Sequence, residues 1–468
     1  MYLGKHTSTL LLALVATSSI FCSCSSSDDD AAELSDNCYI SSFTLGTLRR
    51  TIYGLTSAGM DSIYTTAFSG SYFPMIIDQR KQRIENLDSL PIRTLTDRVL
   101  VSVAFEGTLL WRKADISNLE DTTWTAYNKN DSIDLTDSLH FRVYAENTKS
   151  SRTYTVKVNI HQQQSDSTTW DSLGIVTALE PTTERKATVW NNKLTILATQ
   201  ADGTLLCVQH PLDTSGEWAD QNTIGTANAI PSTLQQQGNR LLLSTSDGQV
   251  LESTDAITWS AASFPTLAGL RLVAASDDYV YALAAGRLYR SNGATWDEEP
   301  LDDDASLLPT DQLNSVFYTL KNGMPRLILV GRKAVADTHA TIWAKSWEKG
   351  TEAEEGWMYY TPNNADKYRC PALRNLCIVP YDNGLQALGG RSEDGTHQAL
   401  DVIRHSSDHG ITWKTYDNDD MNVDQALQKA AQAAQYITAT ADDNHFLWIV
   451  AGNQVWRGRI NRLGFLRN

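Results

Sequence analysis

Three groupings in the 468-residue sequence carry residue types that do chemistry: the histidines His405 and His409, the acidic runs Asp302-Asp303-Asp304 and Asp417-Asn418-Asp419-Asp420, and the cysteines Cys370 and Cys377. Histidines four apart bind zinc when a helix puts both on one face. Here Ser406-Ser407-Asp408 lies between them and Gly410 follows, which is turn chemistry, so the rings are separated and no metal site is expected. The acidic runs offer the oxygen ligands that Ca²⁺ takes, but neither has EF-hand spacing, and solvated loops are the plainer expectation. Cys370 and Cys377 leave two readings open: a disulfide stapling one loop, or a loop cysteine beside a buried strand cysteine. No glycine loop leads from a strand into a helix to cradle phosphate. Among 55 Asp and Glu no pair stands apart as acid and base, so no catalytic residue and no cofactor is expected.

A formal net charge of −16 without a cluster of Lys and Arg excludes a nucleic-acid backbone as partner. A chain of 468 residues exceeds one ordinary core and predicts two domains.

The N-terminus gives an address. Lys5 and His6 precede an apolar run from Leu10 to Val15 that continues through small residues to Phe21, the pattern of a secretory signal over residues 1–23. The run is too short to span a bilayer as a helix. Phe21-Cys22-Ser23-Cys24 resembles a bacterial lipobox, with Phe21 at −3 and Ser23 at −1 of Cys24. The resemblance implies lipidation of Cys24 with more than one acyl chain, which is what stable anchoring needs. Residues 24–36 are then a polar tether, and its Ser25-Ser26-Ser27-Asp28-Asp29-Asp30 resembles the surface-export signal of Bacteroidota lipoproteins. The expected location is the outer membrane, lipid-anchored and facing outward, with the periplasmic face as the alternative.

From residue 37 to 163 short strands follow one another, among them Tyr39–Leu45, Ser62–Phe68, Val99–Phe105, His140–Ala145 and Tyr154–Ile160. The last alternates, with Tyr154, Val156, Val158 and Ile160 on one face. Strands of this number and spacing predict an immunoglobulin-like β-sandwich.

After residue 168 one pattern recurs. Asp202-Gly203, Asp247-Gly248, Gly286 and Gly452 each separate two apolar runs, which is a hairpin signal. Each hairpin precedes a Trp-marked strand, and Trp170, Trp218, Trp259, Trp296, Trp357 and Trp413 make six such marks. Four strands per unit is a propeller blade. The unit from Tyr436 to Arg459 supplies three strands, while the strand around Trp170 has no unit ahead of it. The expected fold is thus all-β: the sandwich, then a six-bladed propeller over 168–468 closed by the strand around Trp170. Seven blades is the alternative, since the intervals around Trp357 are long. Asp424 to Gln435 is the one strong helix signal.

Ser406-Ser407-Asp408-His409-Gly410-Ile411-Thr412-Trp413 resembles the Asp-box of sialidase-like and sortilin-like propellers, with Ser406, Asp408, Gly410 and Trp413 as the structural turn. Ser253–Trp259 is a copy lacking the glycine. The resemblance implies a propeller and allows glycosidase chemistry, but no Arg-Ile-Pro motif of the sialidases occurs between Thr168 and Gln200. It also implies that the connections between blades, Thr361–Arg374 and the helical one, lie on a ligand-binding face. Tyr359, Tyr360, Tyr368, Arg369 and Arg374 are therefore the candidate ligand-binding residues. As a whole the chain resembles a family of Bacteroidota lipoproteins in which an immunoglobulin-like domain carries a propeller. The functional expectation is a non-enzymatic binding module for a glycan or a cell-surface protein. A glycoside hydrolase or lyase is the alternative.

Overall fold

The structure is a computed structural model. It describes residues 34–464 apart from 56–59, 115–122, 166, 213–215, 219, 226–227, 321, 362–365, 402 and 417–420. The signal segment, Cys24, most of the tether and the acidic run Asp417–Asp420 lie outside the described residues. Contacts divide the chain into two units at Asn159/Ile160.

The first unit is built from three sheets. The largest has the order Met75–Asp78, Arg83–Asn86, Ser151–Lys157, Leu139–Tyr144, Thr108–Lys113, Thr125–Ala126. Every pair in it is antiparallel except Ser151–Lys157 with Arg83–Asn86. Leu139, Phe141 and Val143 alternate into the core beside Tyr154 and Val156, all with no exposed surface, and Phe43 meets Phe141 edge to face at 5.5 Å. Val158 and Ile160, expected on the same buried face, stay half-exposed because the strand ends at Lys157. A second sheet contains Thr47–Leu55, a strand that sequence pattern missed, paired along its whole length with Asp61–Ser69.

The second unit consists of six four-stranded antiparallel sheets, each one blade. The first blade is Thr183–Trp190, Lys193–Thr199, Leu205–Pro211 and Asp220–Ile224, and the second runs from Gln235–Gln237 to Ser260–Ala261. The third runs from Arg271–Ala275 to Asp297–Glu298, the fourth from Asp311–Thr319 to Met358–Tyr359, and the fifth from Cys377–Tyr381 to Lys414–Thr415. The sixth takes Ile437–Ala441, Leu447–Ala451 and Gln454–Ile460 from one stretch of chain, and its outer strand, Thr168–Ile175, from another. The ring is thus closed by Trp170 pairing with Gly458, and Thr169 Oγ1 donates to Asn461 Oδ1 at 2.8 Å. Closure leaves no blade edge unpaired at that seam.

Apolar side chains fill the six spaces between neighbouring blades. Leu194, Ile196 and Val208 of the first blade, for example, pack against Trp448, Val450 and Val455 of the sixth. Five tryptophans, Trp218, Trp259, Trp296, Trp357 and Trp413, stand just before an outer strand, and each indole N–H reaches an acceptor. A buried indole must satisfy that single donor, which is why the residue recurs at this corner.

The Ser406–Trp413 turn is a hydrogen-bonded knot. Asp408 Oδ1 accepts from Ser406 Oγ at 2.9 Å and Thr412 N at 2.8 Å, and Gly410 N donates to Ser406 Oγ at 2.7 Å. Gly410 sits at φ +99°, a conformation that a Cβ disfavours. In the upstream copy Asp255 Oδ1 likewise accepts from Ser253 Oγ at 3.0 Å and Thr258 N at 2.7 Å, Ala256 N donates to Ser253 Oγ at 2.9 Å, and Ala256 takes φ +66°. The α-helix Gln425–Ala433 is the only one among the described residues. Its cap is Asp424, which accepts from Ala426 N at 2.7 Å, and it buries Leu427 and Ala431 against the fifth and sixth blades.

Between the third and fourth blades lies a buried polar cluster. Glu299 is fully buried and accepts from Lys345 Nζ, from Arg290 Nη1 at 2.5 Å and from Trp357 Nε1 at 2.9 Å. Tyr281 donates to Glu352 at 2.6 Å beside it.

Candidate functional site

The inner strands of the blades surround the axis of the ring, and where they begin a cavity of about 290 Å³ opens. It is lined by residues 183–186 of the first blade, 311–314 of the fourth, 375–377 entering the fifth and 436–438 of the sixth, with Ser232 and Arg271 completing it. The two long connections deliver chain to this mouth: one ends at Asn375, the other at Tyr436 just after the helix.

Arg185 and Lys186 are consecutive in a strand, so alternation sends them to opposite sides. Arg185 is 8% exposed and spends its guanidinium on neutral acceptors. These are Leu179 O at 2.9 Å, Thr182 O at 3.3 Å, Thr182 Oγ1 at 2.9 Å and Gly452 O. Its Nε finds no partner among the described residues, and its charge lies over the Tyr436 ring at 5.3 Å. Burial pulls its pKa down to about 10. Lys186 reaches across the axis to the fourth blade, where Nζ donates to Asn314 Oδ1 at 3.5 Å. Enclosure by protein lowers its pKa also. Arg271 gives one hydrogen bond, to Thr310 O at 3.4 Å.

The carboxylates of the lining are occupied. Asp311 accepts from Arg332 Nε at 2.9 Å and Nη2 at 2.7 Å. Burial raises its carboxyl, but the Arg332 and Gln312 donors outweigh burial and hold it below the usual carboxylate range. Glu184 accepts from Ser232 Oγ. Asn314 Nδ2 is committed to Gln312 O at 2.9 Å and Leu376 O at 2.8 Å, which ties the fourth and fifth blades together at the cavity floor.

The candidate residues taken from the sequence do not line this cavity. Tyr359 is in the outermost strand of the fourth blade, half-buried against Trp343 at 5.3 Å. Tyr360 packs against the core between the fourth and fifth blades. Tyr368 lies in a short 3₁₀ turn whose carbonyl accepts from Trp413 N at 2.8 Å, with Lys367 Nζ 4.7 Å from its ring. Arg369 follows it, half-buried. Arg374 is bound to Glu393 through Nε at 2.8 Å and Nη2 at 2.5 Å. These tyrosines stand away from the cavity because the connection from Thr361 starts at an outer strand and reaches the axis only at Asn375.

Cys370 and Cys377 are separate free thiols. Cys370 belongs to the core between the fourth and fifth blades and Cys377 to that between the fifth and sixth, so they face different layers. His405 stacks near Tyr416 at 5.0 Å while His409 stacks on Tyr318 at 4.8 Å. Among the described residues no cluster of His, Cys, Asp and Glu has the arrangement of a metal site. Asp302 and Asp304 accept backbone N–H groups, from Tyr359 at 2.8 Å and Ser306 at 2.8 Å, which gives the acidic run a role in local structure.

Sequence reasoning passed over Arg185 and Lys186. The available signal was two adjacent cations in an inner strand, where alternation obliges one to face the axis.

Fold and cavity together define a two-unit all-β protein whose second unit is a six-bladed propeller with cations around its axial mouth. The chain belongs to the DUF6242 family: residues 164–468 match the DUF6242 beta propeller domain. Residues 43–158 match the N-terminal domain of unknown function of the same family. Similar solved structures include YCF48 bound to D1 peptide, at 12% identity over 64% of this chain and 96% of that one, with a TM-score of 0.35. AofleA from Arthrobotrys oligospora is 13% identical over 62% of this chain and 86% of that one, with a TM-score of 0.33. SapL1 lectin in complex with alpha methyl fucoside is 13% identical over 60% and 90%, with a TM-score of 0.35. A comparison with curated proteins gave no match.

Proposed function

We propose that the protein is a cell-envelope lipoprotein whose propeller is a non-enzymatic binding module for a glycan or a protein. The observation that carries this reading is the axial cavity: a recess in the ring, walled by the inner strands of five blades and the turn at Ser232, and edged by polar side chains whose positions are fixed by blade-to-blade hydrogen bonds. Preformed recesses with a few convergent polar groups are where ligands bind. Its two carboxylates, held by Arg332 and Ser232, serve as acceptors, and Asp311 stays ionised where a hydrolytic acid would have to be protonated.

In this reading Cys24 carries the lipid, residues 24–36 form the tether, and the first unit is an immunoglobulin-like spacer. The Ser406–Trp413 turn serves as an Asp-box, a structural device of the blade. The protein sits on the outer membrane and faces outward.

A glycan-array and polysaccharide screen on the chain from Ser25, with mass spectrometry of every hit, tests the function. Retention of intact glycan or of a surface protein supports a binding module, whereas new reducing ends overturn it in favour of a hydrolase or lyase. Loss of acyl labelling in Cys24→Ala, with protease accessibility on whole cells, tests anchoring and leaflet.

A further inference from the structure

Three cations line the axial cavity, Arg185, Lys186 and Arg271, and none of them forms an ion pair among the described residues. The contrast within the molecule is sharp, for the cations near Asp311, Glu299 and Glu393 are all matched to carboxylates. A cation enclosed by protein and facing only neutral oxygens keeps its charge at a cost that an anion beside it would remove. Three of them in one recess create a positive focus in a chain whose net charge is −16. Burial already depresses Arg185 and Lys186, the direction expected of cations awaiting a counter-charge.

We infer that the cavity binds an acidic sugar, a polyhydroxyl ring bearing one carboxylate or sulfate group that seats against Lys186 and Arg271. This deepens the binding-module reading and rests on it. The volume, about 290 Å³, is at the lower end for ligand pockets and suits one sugar-sized group. Glu184 and Asp311 share the lining. They accept hydrogen bonds from hydroxyl groups and repel a second negative charge, which favours a monoanionic ring over an acidic peptide carrying several carboxylates.

The test is calorimetric titration of the chain from Ser25 with four probes: galactotriose carrying one terminal galacturonate ring, the disaccharide 6-sulfated N-acetyllactosamine, neutral galactotriose and triglutamate. The expected result is binding of the single-galacturonate probe, of the sulfated disaccharide or of both, at least about tenfold tighter than galactotriose, since charge-assisted contacts are the strong ones. The two acidic-sugar arms tell carboxylate from sulfate. Lys186→Met, which removes the charge and keeps the length, should weaken that binding on the order of tenfold or more. Lys186→Arg should retain most of it. Arg271→Ala should weaken it independently, so the test stands even where Lys186→Met does not fold. Lys193→Met, at a surface pair with Asp220, should leave it unchanged. Equal binding of galactotriose, or binding unmoved by both Lys186→Met and Arg271→Ala, overturns the anion site while leaving the propeller a glycan module. Binding of triglutamate alone overturns the sugar in favour of a protein partner. Silence with all four probes overturns the inference, and array hits would then still uphold the module.

Discussion

Gly458→Ala should open the ring. Gly458 is the direct partner of Trp170 at the seam, and the indole lies flat over the glycine. A Cβ at 458 would fall 2.4 Å from Trp170 Cε3 and 2.5 Å from Cδ2, against the roughly 3.5–4.0 Å that carbon atoms keep. The indole must therefore recede by about 1 Å, which strains its 2.6 Å hydrogen bond to Asn422 O. Overpacking of this kind costs about 1–3 kcal/mol, and the weakened hydrogen bond adds about 1 kcal/mol, so a loss of about 2–4 kcal/mol is expected. In a Trp170→Ala background the obstacle is gone, and the same substitution should cost less than about 1 kcal/mol. Urea unfolding followed by tryptophan fluorescence reads the propeller directly, since only Trp111 and Trp124 of the 13 tryptophans lie in the first unit. Equal costs of Gly458→Ala with and without Trp170 would refute the reasoning.

Three further outcomes follow from the structure. Lys345→Met leaves Glu299 buried with a lost partner and should destabilise the propeller by about 3 kcal/mol in the same unfolding assay, whereas a surface control such as Lys193→Met should change it by less than about 1 kcal/mol. Arg374 holds the Glu393 carboxyl at about 2, with Arg332 adding to it, and the Lys113 ammonium holds Asp134 at about 2. Because these folded values lie below those of the unfolded chain, the stability they confer is present above pH ~4.5 and is lost as pH falls toward 2. Thermal midpoints should decline over that window, less steeply in Glu393→Gln; an unchanged slope would count against the pairing. Burial pushes the Cys207 thiol up to about 12 and also raises Cys370 and Cys377, so a thiol reagent at pH 8 should find the folded chain from Ser25 unreactive. In guanidinium it should find four thiols, those of Cys38, Cys207, Cys370 and Cys377, and fast labelling of any one in the folded state would contradict the packing.

What could be read beforehand was whatever repeats locally. Hairpins at Asp202-Gly203 and Asp247-Gly248, a tryptophan before five of the six outer strands, and a helix capped by Asp424 are all set by residues within a few positions of one another. Ring closure was legible by counting, since the strand around Trp170 lacked a blade and the unit from Tyr436 lacked a strand. The cavity was not legible, because the importance of Lys186 comes from a fourth-blade asparagine 128 positions away. Tyr359 and Tyr360 stay outside the cavity for a related reason: they sit next to a long connection in sequence but pack against the fourth blade and its neighbour. Thr47–Leu55 was missed because Arg49, Arg50 and Gly54 interrupt any apolar alternation, and its pairing with Asp61–Ser69 supplies what pattern does not.

The seam has a consequence for biogenesis. Thr169 meets Asn461 across 292 positions, so the strand Thr168–Ile175 leaves the ribosome long before its partner Gln454–Ile460 exists. During that interval the growing array has one open sheet edge at each end, the kind of edge that recruits other chains. Late, long-range contacts of this sort fold slowly, and both edges stay open to other chains until the two ends meet. A truncation before Gln454 should therefore be seen first as aggregation during synthesis, rather than as a shortened but soluble propeller.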